Sequence, residues 1–129
     1  MSRIFITGTS GFIGHHLAQA MAKNHEVVCI SRKPTEVKGV VGFQGDFTSP
    51  ADLQKLPAQI DVLIHLAAVT GGGTESEQLR VNVLGTHHLL RYLIDHGCKK
   101  LVLASSIAGV GFQSTAFRPL QLPMPDEHP

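Results

Sequence analysis

The stretch Arg3-Ile4-Phe5-Ile6-Thr7-Gly8-Thr9-Ser10-Gly11-Phe12-Ile13-Gly14 decides the fold. Arg3 to Thr7 is short, apolar and β-branched, and Gly8 stops it, so it reads as a buried strand. Phe12 to Lys23 reads as a helix, with Ile13, Leu17, Ala20 and Met21 on one face. Glycines spaced Gly-x-x-Gly-x-x-Gly carry little meaning alone. Between a strand and a helix they describe a phosphate-holding loop. Gly8 permits the tight turn, Gly11 lets backbone approach a pyrophosphate, and Gly14 lets helix and strand pack closely. Free N–H groups and the positive helix end then face the anion.

Working outward, Asn24 is the expected left-handed stop of the first helix. Glu26 to Ile30 is a second buried strand, and Val40 to Gln44 a third. Ser49 caps a short helix that opens with Pro50. Asp61 to Leu66 is a fourth strand. A long helix follows from Glu75 to His96, with Leu79, Val83, Leu90 and Ile94 along one stripe and Gly97 as its stop. Lys100 to Ala104 is a fifth strand. After Ser106 no period is visible, and residues 107–129 read as loop. The order β-α-β-β-α-β-α-β with apolar strands predicts an α/β fold: a Rossmann-type, doubly wound parallel sheet of about five strands. The 129 residues make one domain, 1–129.

Composition narrows the function classes. The formal net charge is +1 and no basic run exceeds a few residues, so no nucleic-acid or membrane-surface footprint is present. Two cysteines, Cys29 and Cys98, make no disulfide framework, and Cys29 reads as a small buried hydrophobe. No apolar run reaches the ~18 residues of a membrane span, and the start does not read as a signal peptide. A cytoplasmic setting is expected. The pairs His15-His16 and His87-His88 point apart on their helices and make no metal site.

The motifs together resemble the extended short-chain dehydrogenase/reductases, the epimerase and dehydratase group. The resemblance rests on Thr7-Gly8-Thr9-Ser10-Gly11-Phe12-Ile13-Gly14, Gly45-Asp46-Phe47, Asp61 to Ala68, Val81-Asn82-Val83-Leu84-Gly85-Thr86 and Ser105-Ser106, in family order. It implies that Asp46, with Phe47 beside it, meets the adenine amine. It implies that Leu66, Ala67 and Ala68 border the cofactor, that Asn82 holds backbone or water under the active site, and that Ser106, after Ser105, assists catalysis. The residues themselves leave plainer readings open: Asp46 as a helix cap, His65 as a hydrogen-bonded structural residue, Asn82 as a surface amide.

The chain departs from the family in one respect that matters. The family's acid/base is a Tyr-x-x-x-Lys pair, in which the lysine lowers the tyrosine pKa. Tyr92 is the only tyrosine, and it is followed by Asp95 and His96 instead. The expectation is a cofactor-binding domain truncated before the catalytic helix. The alternative is a stand-alone, non-catalytic module that senses nucleotide.

The second strand ends Ile30-Ser31-Arg32-Lys33. Ser31 stands where an NAD-preferring protein places an acid, and Arg32 suits a 2′-phosphate, so NADP is expected over NAD. The other reading leaves Arg32 solvated or stacked on adenine. A small-molecule substrate completes the expectation. A sheet edge left open at Leu101–Ala104 predicts a homo-oligomer.

Overall fold

The computed structural model describes residues 1–34, 37–69 and 72–105. Five strands form one parallel sheet in the order β3-β2-β1-β4-β5: β1 Arg3–Thr7, β2 Glu26–Ser31, β3 Val40–Gln44, β4 Val62–His65 and β5 Lys100–Leu103. Helix α1 (Phe12–Met21) joins β1 to β2, and α2 (Pro50–Leu53) lies between β3 and β4. Between β4 and β5 runs a continuous helical rod. It comprises α3 (Glu75–Gln78), a π-helical stretch (Leu79–Gly85) and α4 (Thr86–Asp95).

Because side chains alternate along a strand, β1 feeds two cores. Ile4 and Ile6 pack with Val27, Ile64 and Ala18 on the α1 side. Phe5 packs with Val28, Leu63, Leu53, Leu89 and Leu93 on the side of α2 and α4. The central strands β2, β1 and β4 are thus covered on both faces, as their composition requires. Cys29 is fully buried. β3 and β5 are the outer strands, and all four residues of β5 are exposed.

Three expectations need correction. On α1 the buried residues are Gly14 and Ala18, flanked by half-buried Leu17 and Met21, whereas Ile13 and Ala20 are exposed. At Gly14 the helix presses so closely on the β1 loop that no side chain fits between them. On the rod, Leu79, Val83 and Ile94 are exposed, and Gly85, Leu89 and Leu93 are inside. The π stretch widens the turn and shifts the phase, so one helical period drawn from Leu79 to Ile94 lands on the wrong face. Asn24 is not left-handed, since no described residue other than glycine has positive φ. The chain leaves α1 through further right-handed turns, with Asn24 N–H and His25 N–H both donating to Met21 O. Gly97, at φ 90°, does end α4 in the left-handed region.

The closest packing in the domain sets up a test. A Cβ on Gly14 would stand 2.0 Å from Gly8 O and 2.7 Å from its carbonyl carbon. Alanine in place of a helical glycine ordinarily stabilises by about 1 kcal/mol. Here Gly14→Ala is expected to destabilise by about 1–3 kcal/mol through backbone displacement. Urea unfolding reads the sign directly.

Candidate functional site

The C-terminal ends of the parallel strands open into a cleft of about 320 Å³. Open α/β sheets bind ligands there, where strand order reverses, and the reversal lies between β1 and β4. The cleft brings together residues from five segments of the chain. The glycine loop supplies Gly8, Thr9, Ser10 and Gly11, and the end of β2 supplies Ile30, Ser31 and Arg32. Asp46 and Phe47 follow β3, and Leu66, Ala67, Ala68 and Val69 follow β4. Glu77, Arg80 and Val81 come from the rod.

The loop is shaped by its glycines. Gly8 has φ 78°, and its carbonyl accepts from Gly11 N–H at 3.1 Å, closing the turn. Gly11 begins α1 with no side-chain cap and no acid in the first turn. The first-turn N–H groups of that helix therefore lack an acidic or capping side chain, and the dipole favours an anion beside them.

Thr7 joins the loop to the neighbouring strand. Its Oγ1 accepts from Leu66 N–H at 3.0 Å and from Ala67 N–H at 3.1 Å. Both lone pairs are then used, so the hydroxyl proton must go to His65 Nδ1, 2.6 Å away. His65 is thereby fixed as the tautomer with hydrogen on Nε2, which donates to Thr86 Oγ1 at 2.9 Å. Phe47 meets the same imidazole edge-on, with ring centroids 5.2 Å apart. His65 is a buried structural link between β1, β4 and α4, and it does not line the cleft.

The Asp46 loop is equally constrained. Asp46 Oδ1 accepts from both Thr48 N–H and Thr48 Oγ1–H, at 2.9 and 2.7 Å. Asp46 N–H donates to Asp52 Oδ2 at 2.9 Å. That backbone bond, together with Lys55, holds the Asp52 carboxyl below its ordinary value. Ser49, not Asp46, caps α2, accepting from Asp52 N–H. Ser31 Oγ donates to Lys33 O and braces the turn that presents Arg32.

Several residues singled out in the sequence lie elsewhere. Phe12 and Ile13 are exposed outside the cleft, leaving only their backbone in the first turn of α1. Gly14 is buried against Gly8. Asn82 sits behind the cleft wall, where Oδ1 accepts from Val69 N–H at 2.8 Å and Nδ2 donates to Val69 O at 2.9 Å. It clips down the loop after β4. Ser105 is exposed after β5, and Ser106 lies outside the described residues. The sequence reading did not pick out Asp52, Val69, Glu77 or Arg80. Arg80 stands just before the quoted motif that opens at Val81, and the linear pattern carried no signal for it.

The comparisons with known proteins accord with this geometry. A profile of the NAD dependent epimerase/dehydratase family matches residues 4–125. The chain belongs to that family. A 3-beta-hydroxysteroid dehydrogenase from Mycolicibacterium neoaurum is 31% identical over 118 residues, covering 82% of this chain and 32% of that protein. A UDP-glucose 4-epimerase from Halalkalibacterium halodurans is 28% identical over 137 residues, covering 98% of this chain and 39% of its own length. The chain thus spans between 32% and 39% of these relatives. Among solved structures, a UDP-glucuronic acid 4-epimerase from Bacillus cereus in complex with NAD is 31% identical, with a TM-score of 0.72 over 87% of this chain and 42% of that one. A uronate dehydrogenase from Agrobacterium tumefaciens, 22% identical with a TM-score of 0.76 over 88% of this chain and 44% of that one, shares the fold.

The His65 link makes stability depend on pH. Burial lowers the His65 pKa, so the unfolded chain takes up this proton before the folded one. The groups against the imidazole, Thr7, Thr86 and Phe47, are uncharged. Its contribution to stability is full above about pH 6.5 and declines as pH falls from there toward the lowered folded value. Urea midpoints are expected to drop between about pH 7.5 and about pH 5.5, and His65→Gln should shed part of that drop.

Proposed function

We propose that the cleft binds the adenosine and pyrophosphate portion of a nicotinamide dinucleotide, with NADP preferred over NAD. Gly11 carries the reading. Its φ is −83°, which any residue adopts, and a Cβ there would meet only Gly8 O, at an ordinary 3.4 Å. Neither backbone conformation nor packing explains a glycine at this position. A ligand pressed against the loop does. The residues present fit such a group: Gly8 to Gly11 and the start of α1 hold the pyrophosphate, Asp46 and Phe47 the adenine, and Leu66 to Ala68 the far wall.

The preference for NADP rests on the end of β2. Beside the cleft lies a broad hollow lined by Thr9, Ser10, His15, Ser31, Arg32 and Lys33, with no carboxylate among its described lining residues. A 2′-phosphate there meets Arg32 with Lys33 beside it. The nicotinamide ring supplies hydride exchange. The parent activity is then that of an epimerase, dehydratase or reductase acting on a sugar nucleotide or another carbonyl or hydroxyl compound. Ser106 is assigned the substrate-side hydroxyl by resemblance.

Calorimetry tests the assignment. Gly11→Val is expected to weaken dinucleotide binding by about tenfold or more while melting closer to the parent than Gly14→Ala does. Arg32→Ala should remove most of an advantage for NADP of about tenfold. Unchanged affinity in the Gly11 variant overturns the site, and equal parent affinities for NAD and NADP overturn the preference.

The same reading includes self-association. β5 is exposed along its length, and Leu79, Val83 and Ile94 form an exposed apolar set on the rod. A second copy of the chain covering these surfaces would remove both from water. Light scattering at micromolar concentration is expected to give a dimer or larger, and a stable monomer refutes it.

A further inference from the structure

Four of the arginines lie among the described residues, and they divide by their partners. Arg3 is paired with Glu26 and Arg91 with Asp95. Arg32 and Arg80 line the cleft, and among the described residues neither forms an ion pair. Arg32 is accounted for by the end of β2. Arg80 is not accounted for by the dinucleotide-binding pattern.

Arg80 belongs to the π stretch, and its head group has one hydrogen-bond partner among the described residues. Its Nη1 donates to Thr48 Oγ1 at 3.4 Å, and that hydroxyl donates in turn to Asp46 Oδ1 at 2.7 Å. The rod lies hard against this loop: a Cβ on Gly85 would come within 2.7 Å of Thr48 Cγ2. The Thr48 contact places the guanidinium at the Asp46 end of the cleft. Two carboxylates, Asp46 and Glu77, line the cleft with it. An incoming phosphate would be repelled by both. A neutral purine would not be, and it offers a flat face that a guanidinium plane covers well. The valence of Asp46 agrees. Its Oδ1 is taken up by Thr48, and no described residue bonds Oδ2, which leaves one oxygen for an exocyclic amine.

We propose that Arg80 lies against the purine ring and is a specificity-determining residue for the adenosine half of the ligand. This rests on the cleft being a dinucleotide site. Arg80 covers the base, Asp46 takes its amine, and the glycine loop takes the phosphates.

The test titrates ADP-ribose and inorganic pyrophosphate, separately, into the parent chain, Arg80→Ala and Arg80→Lys. Both variants are expected to bind ADP-ribose about three- to tenfold more weakly, because lysine keeps the charge and loses the plane. Pyrophosphate affinity should match the parent in both. Melting curves taken alongside check folding, and the lysine variant retains the long stem should alanine unfold the rod. Parent-like ADP-ribose binding by Arg80→Ala overturns the proposal. So does recovery by Arg80→Lys, or loss of pyrophosphate binding, since either marks a charge contact with phosphate. A parent chain that binds no ADP-ribose overturns the dinucleotide site itself, and this proposal with it.

Discussion

The cleft depends on one hydroxyl group. Thr7 ends β1 at the point where the sheet reverses its order, and strands must diverge there for a ligand to enter. Divergence leaves backbone N–H groups without ladder partners, and a buried one costs about 1–3 kcal/mol. Thr7 accepts two of them, from Leu66 and Ala67, and spends its own proton on His65. His65 passes the constraint to Thr86 at the start of α4. Loop, strand end and helix are therefore positioned relative to one another by a chain of directional bonds. Valine in place of Thr7 would keep the shape and lose the three bonds that its hydroxyl makes.

Much of this was legible in the sequence, for identifiable reasons. The five strands are short β-branched runs cut off by glycine, proline or a polar residue, so composition and punctuation agree. The glycine loop is legible because Gly8 and Gly14 answer to hard sterics. A positive φ and a 2.0 Å approach tolerate no other side chain. The inner faces of the helices were harder. Hydrophobic periodicity ranks large residues above small ones, yet α1 turns Gly14 and Ala18 inward because the approach is close. On the rod, Leu89 and Leu93 compete with an equally apolar outer stripe, and the intervening π stretch breaks the period that would decide between them.

The functional residues divide in the same way. Arg32 is visible because it stands at a position defined by the strand pattern. Arg80 reaches the cleft only because the rod is wound as it is and docked against Thr48, neither of which a linear pattern contains. Asn82 belongs to the quoted motif, but its work, clipping Val69, appears only once the loop after β4 is folded over the helix. Asp52 is similar: an ordinary surface acid in sequence, and in space the acceptor that fixes the backbone of Asp46.

The register of β1 bears on how the protein is made. β1 lies in the middle of the sheet, with β2 on one side and β4 on the other, and Thr7 aligned with His65. It leaves the ribosome before either neighbour. The β2 side can close after about one helix and a turn. The β4 side must wait for 58 more residues. At about 5–20 residues per second that is roughly 3–12 s. Throughout that interval an apolar strand, Ile4-Phe5-Ile6, carries one unsatisfied edge. Parallel sheets form late for this reason, and nascent chains are vulnerable to mispairing while they do. The interior position that gives β1 control over the cleft also leaves one of its edges waiting for a strand made much later.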